Sequence, residues 1–312
     1  MTGAVIFHQR SPRVRGSPES SGHVVETASG ARLVARTKVI HICVTCGTAY
    51  PPAEKAPAEC PICLDERQYV APGGQQWTTL EELARSHENR LRVEEPKLWG
   101  IGTEPGFAIG QRALLVQTGH GNILWDCVSL IDDRTIARVN ALGGIDAIAI
   151  SHPHYYGSMV AWSRAFGDAP IYLHADERRW VQWPDSRIVF WEGGSKELAD
   201  GLTLIRIGGH FDGYQVLHWA DGAGGPGALL AGDLPAVCAD RRWVSFMYSY
   251  PNFIPLPARA VHRIVNALDP YKFERLYGAW FGRVVKENAK AAVERSAKRY
   301  LKATGTSERC HA

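Results

Sequence analysis

The sequence predicts a mixed α/β (α+β) chain in which two β-sheets lie between outer helices, preceded by a small metal-bound knuckle. Three observations carry this. Apolar runs of roughly four to eight residues alternate with longer stretches that are apolar on one helical face. Three of the runs stop at side chains that ligate metals: His152 and His154 after 148 to 150, His210 after 202 to 207, and Asp233 after 228 to 231. Ahead of all of them stand two Cys-x-x-Cys pairs, Cys43/Cys46 and Cys60/Cys63.

Length and composition bound the reading. With 312 residues, 45% hydrophobic and 21% charged, the chain has room for one large domain and an appendage. A net charge of +3 and a pI near 8.4 give no field strong enough to gather nucleic acid or a membrane surface. No apolar run approaches the roughly 18 to 20 residues of a membrane span, and positions 4 to 7 are too short for a secretory signal. Four of the seven cysteines lie in Cys-x-x-Cys pairs, the usage of metal thiolates in a reducing compartment, so a cytoplasmic protein is expected.

Taken in order, residues 1 to 38 are rich in Ser, Gly, Arg and Thr without apolar period, and a disordered tail is expected. Residues 39 to 72 form the knuckle unit. Residues 73 to 97 read as a helical linker, because Thr78-Thr-Leu-Glu81 has the pattern of a capping box opening a helix that runs to about Arg90. The main domain spans 98 to 305. Strands are expected at 113 to 116, 122 to 127, 148 to 150, 171 to 174, 202 to 207, 215 to 219, 228 to 231 and around Leu276. Helices are expected at 133 to 142, from Met159 through Phe166, at 176 to 183, after Pro257 with Val261, Ile264, Val265 and Leu268 inward, and at 286 to 303. Residues 306 to 312, with Cys310, form a second tail.

In the knuckle unit, two Cys-x-x-Cys turns separated by residues 47 to 59 set four thiolates at the corners of a tetrahedron. Gly47 supplies the permissive backbone such a turn wants after its second cysteine. The unit resembles a zinc ribbon and equally a rubredoxin-type pair. Zinc is the expected ion, and iron is the alternative that the same S₄ geometry accepts. In the main domain, residues two apart on an extended segment project to one side, which brings His152 and His154 together at a strand end.

The order His-x-His, Gly-His, Gly-Asp along 98 to 305, with Asp126 ending an early strand, resembles the metallo-β-lactamase-fold hydrolases. The resemblance implies a four-layer αββα sandwich, with His152, His154 and His210 as the first metal site and Asp233 as the family's bridging carboxylate. It also marks departures. Tyr156 and Gly157 stand where that family has Asp-His, and Trp280 or its neighbours where it has a final His, so every ligand private to a second metal is missing. The expectation is therefore one Zn²⁺ or Fe²⁺ in the cleft, with a metal-bound hydroxide attacking a small ester-like substrate. Asp233 is expected as the water-orienting base or as a fourth ligand, and Tyr156 as a hydrogen-bond donor to a developing oxyanion. Within the same superfamily the persulfide dioxygenases use a single iron, which makes an iron oxidoreductase the alternative; a non-catalytic binding protein derived from the hydrolase fold is the third reading. Nucleic acid ranks last as a substrate. Tyr155, Arg241, Arg242, Tyr248 and Tyr250 are candidates for contact with an anionic substrate such as a carboxylate or phosphate ester. His174 and His218, on apolar strands, read as core histidines.

Overall fold

A computed structural model describes residues 37 to 305. The tails expected at 1 to 38 and 306 to 312, with Cys310, fall outside this span apart from residues 37 and 38.

Two sheets make the main domain. One has seven strands in the order Glu88–Glu95, Leu98–Glu104, Arg112–Thr118, Gly121–Trp125, Ala147–Ala149, Ile171–His174, Ile188–Trp191; the other has six, in the order Ser195–Ala199, Leu202–Arg206, Gln215–Trp219, Ala228–Gly232, Arg275–Gly278, Val284–Val285. The period of two along a strand decides which core each side chain enters. Leu114, Val116, Ile123, Trp125, Ala147 and Ala149 meet Leu204, Leu217 and Leu230 between the sheets. Their neighbours Leu115, Leu124 and Ile148 turn outward, to a second core with the helices Asp133–Ala141 and Met159–Ala165. Ile205, Val216 and Leu229 turn to a third core under Ala258–Leu268 and Ala289–Ala303, where Val261, Ile264 and Leu268 bury one helical face. The layers are those of the αββα sandwich.

The ribbon is joined to this body. Ile42, Ala49, Tyr50 and Ile62 belong to the same buried cluster as Leu115 and Ile148. Its strand His41–Cys43 pairs with Trp77–Thr79, so the unit reaches past residue 72. That pairing also corrects the linker. Both Thr-x-x-Glu registers are present in Thr78-Thr79-Leu80-Glu81-Glu82, but Thr78 is held in the strand opposite Ile42, and the capping box forms on Thr79 and Glu82. The helix spans only Leu80–Ser86, and the charged residues after it form the edge strand Glu88–Glu95 of the larger sheet. Two more edge strands lie outside those expected: Ile188–Trp191, a short apolar run left half exposed, and Ser195–Ala199, whose mainly polar residues carry no apolar run. The helix expected at 176 to 183 is a 3₁₀ turn, Ala175–Trp180, capped by His174; Pro184 bars its continuation.

Candidate metal centres

Four side chains converge at the carboxyl ends of three strands. His152 caps a single 3₁₀ turn, Pro153–Tyr155, just beyond the strand Ala147–Ala149. The pair is therefore not on an extended segment as expected: Pro153 starts a turn, and the turn swings His154 beside His152, with ring centroids 5.1 Å apart. His210 follows the glycines 208 and 209 after Leu202–Arg206, and Asp233 follows Gly232. At Gly232 φ is +63°, and a Cβ would stand 2.7 Å from the Tyr214 hydroxyl, so only glycine permits the turn that aims Asp233.

All four side chains are buried, and one ligand atom from each lies within 4.8 Å of the others. A tetrahedral ion with bonds of about 2.0 to 2.1 Å sets its ligands about 3.3 Å apart. Here His154 Nδ1 lies 3.2 Å from His210 Nε2, and His152 Nε2 lies 3.5 Å from Asp233 Oδ2. Nε2 of His152 is buried without a hydrogen-bond partner among the described residues, the kind of orphan a cation satisfies.

Outer contacts fix the tautomers. Ser151 Oγ donates to Asp126 Oδ1 at 2.8 Å, so its 3.0 Å contact with His152 must be accepted from the ring Nδ1–H. His210 Nδ1–H donates to the Tyr248 carbonyl at 2.5 Å. Both rings keep the Nε2 lone pair for the cluster. Burial first, then the neighbouring charges of His210, His154 and Arg67, drives His152 well below the ordinary imidazole range, and His154 follows for the same reasons. Burial lowers His210 to about 3, against its bond to the Tyr248 carbonyl. Neutral imidazoles are the form that binds a metal. Asp233 is raised to about 7 by burial, opposed by the Tyr214 hydroxyl.

Of the surrounding residues expected from sequence, some reach the centre and some do not. The Tyr155 ring packs 4.8 Å from His152, and its buried hydroxyl has no partner among the described residues. Tyr250 donates to the Asp233 carbonyl at 2.5 Å. Tyr248 holds His210 through its carbonyl. Tyr156, by contrast, is buried with its hydroxyl on the Glu177 carbonyl at 3.4 Å, an engagement that leaves nothing pointed at an oxyanion. Arg241 is occupied by the carbonyls of Cys238, Ala239 and Gly282, and Arg242 is an exposed partner of Asp240. The strand pair Ala236–Val237 with Val244–Ser245 carries that turn away from Asp233. His218 and His174 bond to the carbonyls of Lys272 and Gly193, as core histidines do.

The residues standing where the resemblance would put second-metal ligands make other contacts. A Cβ on Gly157, where φ is +48°, would come 2.9 Å from the Cys127 carbonyl oxygen, and the Gly157 carbonyl itself accepts from Ala49 of the ribbon at 2.9 Å. Trp280 donates to the Ile109 carbonyl at 3.1 Å. Three contributors are absent from the residues expected above. Ser151 has one signal in the sequence, its place beside His152. Tyr214, which braces the Asp233 turn, and Arg67, which donates to the His210 carbonyl at 3.2 Å from 143 positions away, carry no local signal.

The second cluster is Cys43, Cys46, Cys60 and Cys63, all buried. Bonds of about 2.3 Å to a tetrahedral ion separate sulfurs by about 3.8 Å; Cys43 to Cys63 is 3.5 Å and Cys46 to Cys60 is 3.6 Å. Hydrogen bonds from Cys46, Cys60 and Cys63 hold Cys43 far below the ordinary thiol range, and Gln75 donates to its sulfur at 3.1 Å. Both clusters fit a metal, and the ribbon set fits zinc. Among the described residues no other such cluster occurs, and no helix is long and apolar enough to cross a membrane.

No family model matches the sequence. Among solved structures, that of VMB-1 at pH 5.5 superposes with a TM-score of 0.54 at 15% identity, covering 70% of this chain and 98% of that one. DIM-1 metallo-β-lactamase exposed to ceftazidime gives 0.51 at 11%, covering 70% and 98%. The mono-zinc form of FIM-1 from Pseudomonas aeruginosa gives 0.50 at 15%, covering 68% and 95%. The uncharacterized protein YmaE of Bacillus subtilis is 53% identical over 265 residues, 84% of this chain and 96% of that protein. With two metal-ligand clusters set in a metallo-β-lactamase fold, a metal-dependent hydrolase type of fold, the chain belongs to the family of YmaE.

Proposed function

We propose that the protein is a mononuclear metallo-hydrolase acting on a small ester-like substrate. The observation that carries this is the convergence of His152, His154, His210 and Asp233 at tetrahedral ligand spacing, with two imidazole tautomers fixed from outside. A divalent ion held by these residues supplies Lewis acidity and lowers the pKa of water. The chain's own parts are then assigned. The three imidazoles stay neutral as ligands. Asp233, held by the Tyr214 hydroxyl at 3.1 Å with its other oxygen turned to the His152 side of the cluster, is placed to orient a water or take its proton. The unpartnered Tyr155 hydroxyl beside His152 takes the donor role that Tyr156 cannot fill. Arg241 and Arg242 lend no support to an anionic substrate, so anionic recognition is not part of the proposal.

A second reading has its own observation. Asp233 Oδ2, 3.5 Å from His152 Nε2 and only 4% exposed as a residue, sits at a fourth corner, and a carboxylate ligand there closes the centre and makes it structural. Metal content and turnover separate the two. Under the hydrolase reading, elemental analysis finds two metals per chain, His210→Ala removes one, and hydrolysis of a panel of activated esters depends on the one removed. Three metals in the wild type would sink the mononuclear claim. Two metals with no ester turnover would favour the structural reading.

A further inference from the structure

Arg67 belongs to the ribbon yet lies against the cleft centre. It is 6% exposed, its guanidinium stands 3.9 Å from the Phe211 ring centroid and 5.2 Å from that of Trp180, and Nη1 donates to the His210 carbonyl at 3.2 Å. Tyr248, whose carbonyl takes the proton of His210 Nδ1, donates its own hydroxyl to Glu66 Oε1 at 2.6 Å. The Asn252 amide donates to the carbonyls of Glu66 and Gln68 at 2.8 and 3.2 Å. Residues 65 to 68 are thus tied both to His210 and to the hairpin that orients its ring.

The cysteines in turn hold residues 65 to 68. Cys60 stands at the N-cap of the helix Pro61–Leu64, Cys63 lies within it, and Asp65 ends it. The Asp65 carboxylate grips Arg67 through Nε at 2.5 Å, Nη2 at 2.8 Å and the backbone N–H at 3.0 Å. A helix of four residues is far too short to persist by itself, so the sulfur cluster fixes where Arg67 stands. On the other side, His210 follows Gly208 and Gly209, both at positive φ, a backbone with little preference of its own.

We infer that Arg67 is a positioning residue for the cleft metal and that the ribbon is the latch that holds it in place. With the cysteine site filled, Arg67 and Tyr248 clamp His210 and keep the centre shut. With it emptied, residues 65 to 68 are released, the clamp opens and the cleft ion is free to leave. This rests on the cleft being a metal centre, as proposed above.

Cobalt substitution tests it, because thiolate-to-cobalt charge transfer reports the ribbon and the d–d bands of the His/Asp site report the cleft. In Arg67→Ala the ribbon band and a total of two Co²⁺ are retained, while the cleft bands shift and chelator removes the cleft ion at least about tenfold faster, the scale of lost outer contacts to a metal ligand. Arg67→Lys keeps the charge but loses the forked donors, and recovers only part of the wild-type rate. Cys60→Ser/Cys63→Ser loses the ribbon band and speeds cleft release in the same way. If Arg67→Ala and Arg67→Lys both release cleft cobalt at the wild-type rate with the ribbon band intact, the latch is overturned and the cleft metal stands. If the wild type takes up cobalt in the ribbon alone, both ideas fall.

Discussion

Asp126 and His152 are joined through a single hydroxyl: Ser151 Oγ donates to Asp126 Oδ1 at 2.8 Å and receives the His152 Nδ1 proton at 3.0 Å. The Ser151 backbone N–H also donates to Asp126, at 2.7 Å. The His152 imidazole is thereby fixed in rotation and tautomer by groups outside the His/Asp cluster. Ser151→Ala should weaken the cleft site by on the order of 10- to 100-fold while leaving the ribbon ion in place. Competition with a chromophoric chelator reads this directly, and an unchanged affinity would show that the hydroxyl does no orienting.

At Gly157 the expectation concerns room. A side chain there meets the carbonyls of Cys127 and Val128 at 2.9 and 3.0 Å and forces φ = +48° on an L residue. Gly157→Ala should cost about 1 to 3 kcal/mol in chemical denaturation. Gly157→His, which supplies the residue type of a second-metal ligand, should leave the metal count at two per chain. A third equivalent in that variant would mean the space exists after all.

The carboxyl of Glu177 gives the pH dependence. Burial raises it to about 7 from an ordinary 4.5, against the Gly213 N–H that it accepts, and its Oε2 has no partner among the described residues. The folded chain therefore holds this proton more tightly than the unfolded one. Its contribution is fully present below pH 4.5, declines as pH rises through 7, and is gone above that. Glu177→Gln, neutral at every pH, should be the more stable protein at pH 8 by roughly 1 to 3 kcal/mol, with the advantage vanishing by pH 4.5. Equal urea midpoints for the two proteins at pH 8 would refute the assignment.

Chelation of the ribbon ion should open residues 40 to 65 to protease before the main domain is cut, since that segment has little apolar core beyond what it shares with the larger sheet. The protein as purified should be colourless and contain zinc. A red protein with thiolate-to-iron absorption would replace the ion, and unchanged cleavage after chelation would remove its structural role.

Much of this was legible from the residues. The apolar runs 113 to 116 and 122 to 127 announce strands, and ligand types at strand ends announce the cleft, whereas an all-apolar run such as Leu114-Leu115-Val116 does not say which core each side chain enters. What local pattern cannot carry is a partner chosen by the fold. The Thr79 register won over Thr78 because Ile42, on a strand far earlier in the chain, claims Thr78. Arg241 looked close to Asp233 in sequence and is directed elsewhere, whereas Arg67, far from every ligand in sequence, reaches His210. The 3₁₀ turn at Pro153 shows the other failure, a correct pairing of histidines inferred from the wrong backbone.

The contacts of residues 66 and 68 with 248 and 252 have a consequence for how the molecule is made. Cys43 to Cys63 lie within one short segment, so the first ion can be captured while the ribosome is still translating the rest. Residues 152, 154, 210 and 233 are not all available, and the hairpin around Tyr248 and Asn252 cannot meet Glu66, until some 250 residues have emerged. The order of the ligands along this chain thus lets the thiolates close on an ion first and the imidazoles last.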